Sequence, residues 1–284
     1  MEWQDRRVVV TGAANGIGKA LSARAAASGA RVAMVDVRAE DAAAAAEAVG
    51  PAARAFACHV ASPGAVDPLA AEIVAWLGGI DAVFSNAGVG VGGKVEDLSA
   101  GDAAWVISVN LVGLINVARA FIPHLRRAAG EGREAWLVNT GSEHSLGIPT
   151  IGASNVYTAT KHAALGLTDA IRSDLAGSGV RAALLCPGLV ATNIYDAKAV
   201  RPDSFGGPQL LPAEHRERAM AFMTAKGQSP DLTAELCFEG LDRGDFLIIT
   251  DPEVGQFVQP RIAELAGAVE TVERRLADHS VAVG

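Results

Sequence analysis

Short apolar runs alternate with longer stretches of helical spacing along most of the chain. The runs with the length and composition of buried strands are residues 8–10, 31–36, 53–60, 80–85, 135–138, 180–186 and 246–249. Helical spacing occupies residues 19–27, 39–49, 65–77, 102–129, 154–176, 229–241 and 253–277. Repeated strand and helix predict an α/β fold, a doubly wound parallel sheet of about seven strands with helices on both faces. Ligands of such sheets bind at the carboxyl ends of the strands.

Residues 193–228 interrupt this alternation. They contain Pro202, Pro208 and Pro212 between charged and apolar islands. Long irregular segments in compact domains are usually functional, so we interpret residues 193–228 as a flap that covers a substrate. The alternative is that its apolar residues only cover the core. The absence of an internal repeat or a linker predicts a single domain over residues 1–284.

Composition and charge narrow the classes of function. The chain has 284 residues, 50% of them hydrophobic and 20% charged, as in an ordinary globular protein. A formal net charge of -8 argues against nucleic acid and membrane surfaces as partners. The N-terminus lacks a signal-peptide pattern, and no apolar run approaches the roughly 18 residues of a membrane span. Cys58, Cys186 and Cys237 have no metal-ligand spacing, so we expect a cytoplasmic protein without a metal.

The first predicted strand leads into a glycine-rich turn. Residues 11–18 read Thr-Gly-Ala-Ala-Asn-Gly-Ile-Gly and precede a helix. Glycines allow the backbone to turn tightly and to approach a pyrophosphate, whose charge the free N–H groups of the helix N-terminus can bind. This pattern predicts a Rossmann-like dinucleotide site with Gly12, Asn15, Gly16 and Gly18 in the turn.

The second predicted strand ends in Asp36. A carboxylate there can accept hydrogen bonds from an adenosine ribose diol and would repel a 2′-phosphate, which favours NAD over NADP. Arg38 is close enough in sequence to offer a phosphate the opposite charge. A structural interpretation also stays open, in which Asp36 only caps the helix that begins near Glu40.

Ser142 follows the strand at residues 135–138, and helical spacing begins again near Ser154. Tyr157 and Lys161 then lie four residues apart on one helix face. A unit charge about 4 Å from a phenol, at an effective dielectric of about 20, is worth roughly 4 kcal/mol, or about three pKa units. Tyr157 is therefore a candidate general acid or base, and Ser142 a candidate donor to a substrate oxygen. The same tyrosine and lysine spacing also occurs on ordinary helices.

Asn110 lies among apolar residues of the long predicted helix at 102–129. A buried amide needs hydrogen-bond partners. It is either a core amide bonded to backbone, or part of an arrangement that holds a water and relays protons to Lys161.

The whole set of residues strongly resembles the short-chain dehydrogenase/reductase family, over essentially the entire chain. The resembling motifs, in order, are Thr11-Gly12-x-x-x-Gly16-x-Gly18, Ser85-Asn86-Ala87-Gly88, Asn110, Ser142, Tyr157-x-x-x-Lys161 and Pro187-Gly188-x-x-x-Thr192. The resemblance implies a catalytic tetrad of Asn110, Ser142, Tyr157 and Lys161. In it Tyr157 is the acid or base, Ser142 orients the substrate oxygen, Lys161 holds the nicotinamide ribose and lowers the tyrosine pKa, and Asn110 supports a proton relay.

The resemblance also implies a set of cofactor contacts. They are Gly12, Asn15, Gly16, Ile17, Gly18, Asp36, Val60, Asn86, Gly88, Tyr157, Lys161, Pro187, Val190 and Thr192. His59 stands where the family often has an acid, so only the backbone contact at Val60 is implied there. The interval from Ser142 to Tyr157 is longer than the common one, which leaves room for His144 or Ser145 to enter the site.

These expectations combine into a hydride transfer between NAD and a secondary alcohol or ketone, without a metal. The flap predicts a bulky apolar or aromatic small-molecule substrate, since its apolar residues are Ile194, Tyr195, Phe205, Leu210, Leu211, Phe222 and Met223. The alternatives are an epimerase or dehydratase of the extended relatives, and a dinucleotide-binding sensor without turnover. The resemblance implies a homodimer or homotetramer, assembled through the two long helices.

Overall fold

The computed structural model describes residues 2–149 and 155–282. Its centre is a seven-stranded sheet in which all neighbouring strands are parallel, in the order β3-β2-β1-β4-β5-β6-β7. The strands are β1 (Arg7–Thr11), β2 (Arg31–Asp36), β3 (Ala53–Ala57), β4 (Ala82–Ser85), β5 (Ala135–Thr140), β6 (Val180–Cys186) and β7 (Leu247–Ile249). The predicted doubly wound parallel sheet is confirmed, although β3 ends three residues earlier than predicted.

Helices cover both faces of this sheet. They are α1 (Gly16–Ala27), α2 (Ala39–Val49), α3 (Pro63–Leu77), α4 (Ala100–Ile107), α5 (Gly113–Gly130), α6 (Asn155–Asp174), α7 (Ala213–Lys226), α8 (Pro230–Arg243) and α9 (Gly255–Ala282). The predicted loop at Gly152 and the predicted helix start at Ser154 lie outside the described residues.

Two apolar cores result, because successive strand residues point to opposite faces of the sheet. Val9 packs into one core with residues of α3 and α5, and its neighbours Val8 and Val10 pack into the other with α1 and α8. Because all neighbouring strands are parallel, the loops that follow their carboxyl ends lie at the same end of the sheet.

The helices α4 and α5 run on from each other through a π turn at Ser108–Val112. Among the described residues, the resulting helix Ala100–Gly130 is the one whose length and mean hydropathy of 1.7 would suit a membrane span, contrary to the expectation that no apolar stretch is long enough. Of its most apolar window, 56% is buried inside the protein. Trp105 and Phe121 are fully enclosed in the core, so this helix has the burial of a core helix.

Helix α7 corrects the prediction of an irregular segment over residues 193–228. Two short 3-10 turns, Ile194–Val200 and Asp203–Phe205, precede it. Its sequence is rich in alanine, glutamate, arginine and methionine, which favour helices. Within α7 only Met223 is buried, so the helix lacks the one-sided apolar stripe that hydrophobic spacing detects.

Candidate active site

The carboxyl ends of the strands open into a cleft of about 740 Å³. Its walls are the turn after β1, the ends of β2 and β3, the loops after β4, β5 and β6, and part of the segment that follows. The predicted site residues that line it are Gly12, Asn15, Gly16, Ile17, Asp36, Val60, Asn86, Gly88, Ser142, Tyr157, Lys161, Pro187, Val190 and Thr192. The predicted site residues Gly18 and Asn110 do not line the cleft.

The glycine turn needs its glycines for two different reasons. Gly12 and Gly16 have φ angles of 64° and 52°, in the left-handed region that side chains disfavour. At Gly18 a Cβ atom would overlap the Gly12 carbonyl oxygen and lie 2.6 Å from Nδ2 of Asn86. The side chain of Asn15, at the N-cap of α1, makes no capping hydrogen bond. The N–H groups of the first turn of α1 are therefore available to an anion.

Asp36 supports the glycine turn from the end of β2. One carboxylate oxygen accepts from the backbone N–H of Ala14 at 3.1 Å, and the other accepts from the backbone N–H of Arg38 at 3.1 Å. The N-cap of α2 is Arg38 and makes no side-chain capping bond, so Asp36 is not a helix cap. The Arg38 guanidinium forms an ion pair with Asp41 at 2.8 Å.

A hydroxyl, a phenol and an ammonium meet where β5 and α6 approach each other. Ser142 lies two residues past β5 and hydrogen-bonds to the side chain of Tyr157. Lys161 places its Nζ 5.6 Å from the centroid of the Tyr157 ring. The same Nζ donates to the carbonyl oxygen of Thr140 at 2.8 Å. Three segments that are distant in sequence thus converge at one end of the cleft.

The pKa of Tyr157 differs from the sequence expectation. Burial raises it to about 12, the Ser142 hydrogen bond lowers it by less, and the charge of Glu143 raises it further. Burial also lowers the pKa of Lys161 to about 8. Lys161 is not among the groups that shift the pKa of Tyr157 here, so the lowering of that pKa by Lys161 stays a prediction. Tyr157 is a protonated phenol at neutral pH.

Asn110 lies in the π turn between α4 and α5 and is almost fully buried. Its side chain accepts from the N–H of Val89 at 2.8 Å and donates to the carbonyl of Val89 at 2.9 Å and to the Thr160 hydroxyl at 3.2 Å. The side chain is thus a core amide bonded to backbone. A Cβ atom on Gly88 would lie 3.5 Å from Oδ1 of Asn110 and 3.7 Å from Nζ of Lys161, which are ordinary van der Waals distances, so Gly88 lies in contact with both side chains.

Comparison with known proteins agrees with this arrangement. A model of the short chain dehydrogenase family matches residues 6–201. The chain belongs to the short-chain dehydrogenase/reductase family. The resemblance of the motifs is confirmed.

Two curated relatives of this family member are dehydrogenases with different substrates in their names. The 1-deoxy-11-beta-hydroxypentalenate dehydrogenase of Streptomyces exfoliatus is 40% identical over 75% of this chain and 78% of its own length. The meso-2,3-butanediol dehydrogenase of Serratia marcescens is 33% identical over 87% of this chain and 92% of its own. A crystal structure of a short-chain dehydrogenase/reductase from Burkholderia phymatum in complex with NAD has a TM-score of 0.84, with 30% identity, and covers 94% of this chain and 96% of that chain.

Of the two residues that could enter the site after Ser142, His144 lines the cleft and Ser145 does not. The Ser145 hydroxyl accepts from the N–H of Ser142 at 3.1 Å and is buried. The His144 ring lies edge-on to Tyr157 at 5.3 Å between centroids, with Nδ1 2.8 Å from the Thr158 hydroxyl. Burial first, and then the charges of His162 and Lys161, lower the pKa of His144 to about 4, so the ring is neutral.

Glu143 is a charged cleft residue that sequence reasoning missed. Burial, together with the nearby charges of Asp251 and Glu253, raises its pKa to about 7. The sequence signal for Glu143 was the presence of an acidic residue directly after the predicted serine, Ser142.

Among residues 2–149 and 155–282, no group of three His, Cys, Asp or Glu side chains is placed to hold a metal ion.

Only part of the predicted flap faces the cleft. Ile194, Tyr195 and Met223 line it, whereas Phe205 packs against the core and Leu210 and Phe222 are exposed. Leu211 does not line the cleft either. Three of the seven apolar residues of the predicted flap therefore line the cleft, and α7 exposes Phe222 together with most of its other side chains. The role of residues 193–228 as a substrate-covering flap stays a prediction.

Ion pairs connect the segment before α7 to α4. Asp102 forms an ion pair with the buried Arg201 and accepts from Nζ of Lys198 at 2.8 Å. Arg201 also donates to the carbonyl of Gly207 at 2.8 Å. These contacts hold the turn that carries Ile194 and Tyr195 over the cleft.

Proposed function

We propose that this protein is an NAD-dependent oxidoreductase that transfers a hydride between NAD and a secondary alcohol or ketone. The observation that carries the proposal is the convergence of Ser142, Tyr157 and Lys161 in the cleft that also contains the glycine turn. Relatives named as dehydrogenases and a structural neighbour in complex with NAD support it.

The residues of the cleft fit a dinucleotide. The uncapped first turn of α1 suits a pyrophosphate, and Gly16 provides the close backbone approach. Asp36 keeps lone pairs for a ribose diol, while the pairing of Arg38 with Asp41 occupies the guanidinium that a 2′-phosphate would need. We therefore assign NAD rather than NADP. When bound, this cofactor supplies or accepts the hydride.

Side chains of the protein itself donate the proton to the substrate oxygen and hold that oxygen in place. In ketone reduction Tyr157 donates its hydroxyl proton to the substrate oxygen, since a pKa of about 12 keeps it protonated. Ser142 holds the same oxygen, where negative charge develops. Lys161 holds the nicotinamide ribose, and Asn110 positions the loop after β4 through Val89.

The substrate assigned here is bulky and apolar or aromatic, and residues 193–228 cover it within a single domain. Support comes from Ile194, Tyr195 and Met223, which line the cleft together with Trp105 and other apolar side chains. The test is the rate of NADH formation with a panel of secondary alcohols graded by apolar size. Best activity on small polyols would contradict the substrate assignment. Binding of NADH without turnover of any alcohol or ketone would instead favour a sensor.

We expect Asp36→Asn to lower the preference for NAD over NADP. The substitution keeps the side-chain shape but removes the charge that faces the ribose, and a hydrogen bond to a charged group is worth about 1.5–3 kcal/mol. The ratio of kcat/KM for NAD to that for NADP should fall by about tenfold to a hundredfold. This ratio is insensitive to any general loss of folded enzyme. An unchanged ratio would show that Asp36 does not select the cofactor.

We expect Glu143→Gln to remove the pH dependence that Glu143 gives to the free energy of unfolding. The folded pKa of about 7 exceeds the ordinary value of 4.5, so between these values the folded state keeps a proton that the unfolded state has released. Stability therefore falls as pH rises from 4.5 to 7, by about 2 kcal/mol after allowance for solvent screening. Thermal unfolding should show the glutamine variant to be more stable than wild type at pH 8 and equal to it at pH 4. Glu214→Gln, on exposed α7, is the control and should follow wild type at both pH values.

A further inference from the structure

The molecule's last helix, α9, carries an apolar stripe from Ile262 to Leu276 that is exposed in the single chain. From Gln259 to His279 every described side chain of α9 is exposed. The exposed fractions are 54% for Ile262, 59% for Leu265, 58% for Val269, 55% for Val272 and 62% for Leu276. Successive members are three and four residues apart in alternation, which is the heptad spacing of a coiled coil.

Propensity alone does not keep an isolated helix of this kind folded in water, because most helical stability in proteins comes from packing of an apolar face. Pro260 and Gly267 weaken its intrinsic helix propensity further. The first turn of α9 contacts the rest of the chain, since Phe257 packs against Gly147. The remainder therefore needs a partner surface, and heptad spacing fits another helix rather than a flat sheet or a pocket.

We propose that this stripe pairs with the same stripe of a second copy of the chain. Like stripes on two copies are self-complementary, as a twofold interface requires. Burying the stripe on two facing helices removes about 1,000 Å² from solvent, which meets the lower limit for a specific interface.

The charges beside the stripe agree with self-pairing. The positions that flank it include Ala266 and Ala268, which allow close approach, and Glu273 and Arg275, which carry opposite signs. No block of one sign is present to repel a second copy. Residues 261–278 contain three arginines and four acidic residues, so an anionic membrane surface is a poor match.

Hydrogen exchange of the full-length protein, measured by mass spectrometry at high and low concentration, tests this pairing. We expect amides in residues 259–279 to be protected at high concentration and to exchange at least about tenfold faster on dilution. Val269→Asp with Val272→Asp should abolish the protection at both concentrations. The matched control, Ala263→Asp with Thr271→Asp, adds the same charge to the outer face of the helix and should behave as wild type.

Three outcomes would overturn the proposal. Fast exchange at every concentration would mean that no second copy covers the stripe. Protection that is independent of concentration would mean that the chain covers it itself. Equal loss of protection in the stripe variant and in the control would mean that added charge, rather than the stripe, matters. Thermal unfolding of both variants should match wild type, because the substitutions lie outside both cores.

Discussion

Replacing Tyr157 with phenylalanine should slow turnover of every accepted alcohol or ketone by about 10²–10⁴-fold, the usual contribution of general acid or base catalysis. The phenol hydroxyl is the group that hydrogen-bonds with Ser142 at the end of the cleft, and phenylalanine keeps the ring while removing that proton. Steady-state kcat with NAD and the best alcohol of a graded panel measures the effect.

The control for this variant is cofactor binding. The glycine turn and Asp36 are unchanged, so NADH fluorescence titration should give a Kd within a few-fold of wild type. A variant that binds NADH normally and turns over near the wild-type rate would refute the role of Tyr157 and, with it, the proposed chemistry. A variant that fails to bind NADH would place the phenol in cofactor binding instead.

Replacing Asp81 with asparagine should destabilise the fold by about 3–5 kcal/mol, the cost of breaking a buried ion pair by removing one partner. Asp81 is fully buried directly before β4, at the amino ends of the strands, whereas the cleft lies at their carboxyl ends. Its carboxylate accepts from Arg133 at 2.6 and 2.8 Å and from Arg7 at 2.7 and 2.9 Å. Burial raises the pKa of Asp81, but the hydrogen bonds from Arg133 and Arg7 outweigh it and lower the pKa to about 2. The variant would leave two partly buried guanidinium groups without their counter-charge.

Urea unfolding at pH 7 measures this loss, with Asp67→Asn as the control. Asp67 also pairs with an arginine, Arg119 at 2.9 Å, but both side chains are about half exposed, so its loss should cost less than about 1 kcal/mol. Because the folded pKa of Asp81 lies below its ordinary value of 3.8, its contribution is present above pH 3.8 and is lost as pH falls towards 2. Equal unfolding midpoints for the two variants would show that the buried cluster is not stabilising.

The strands and most helices were predictable because their signal is local. β1, for example, sends alternate valines into two cores, and a strand buried on both faces is continuously apolar in sequence. α7 was missed for the opposite reason, since a helix that buries only Met223 has no apolar periodicity to detect. The exposed stripe on α9 follows the same local rule, yet sequence alone does not say that it stays uncovered within the chain.

The sequence by itself determined the fold class, the family and most of the predicted site residues that line the cleft, because glycine turns and strand ends are specified by residues close together in the chain. Tertiary structure decided everything that depends on desolvation and on distant neighbours. Burial raises the pKa of Tyr157, and burial together with the charges of Asp251 and Glu253, from a remote part of the chain, raises the pKa of Glu143. The energy of a charged group depends on all the atoms around it, and those are brought together only by folding.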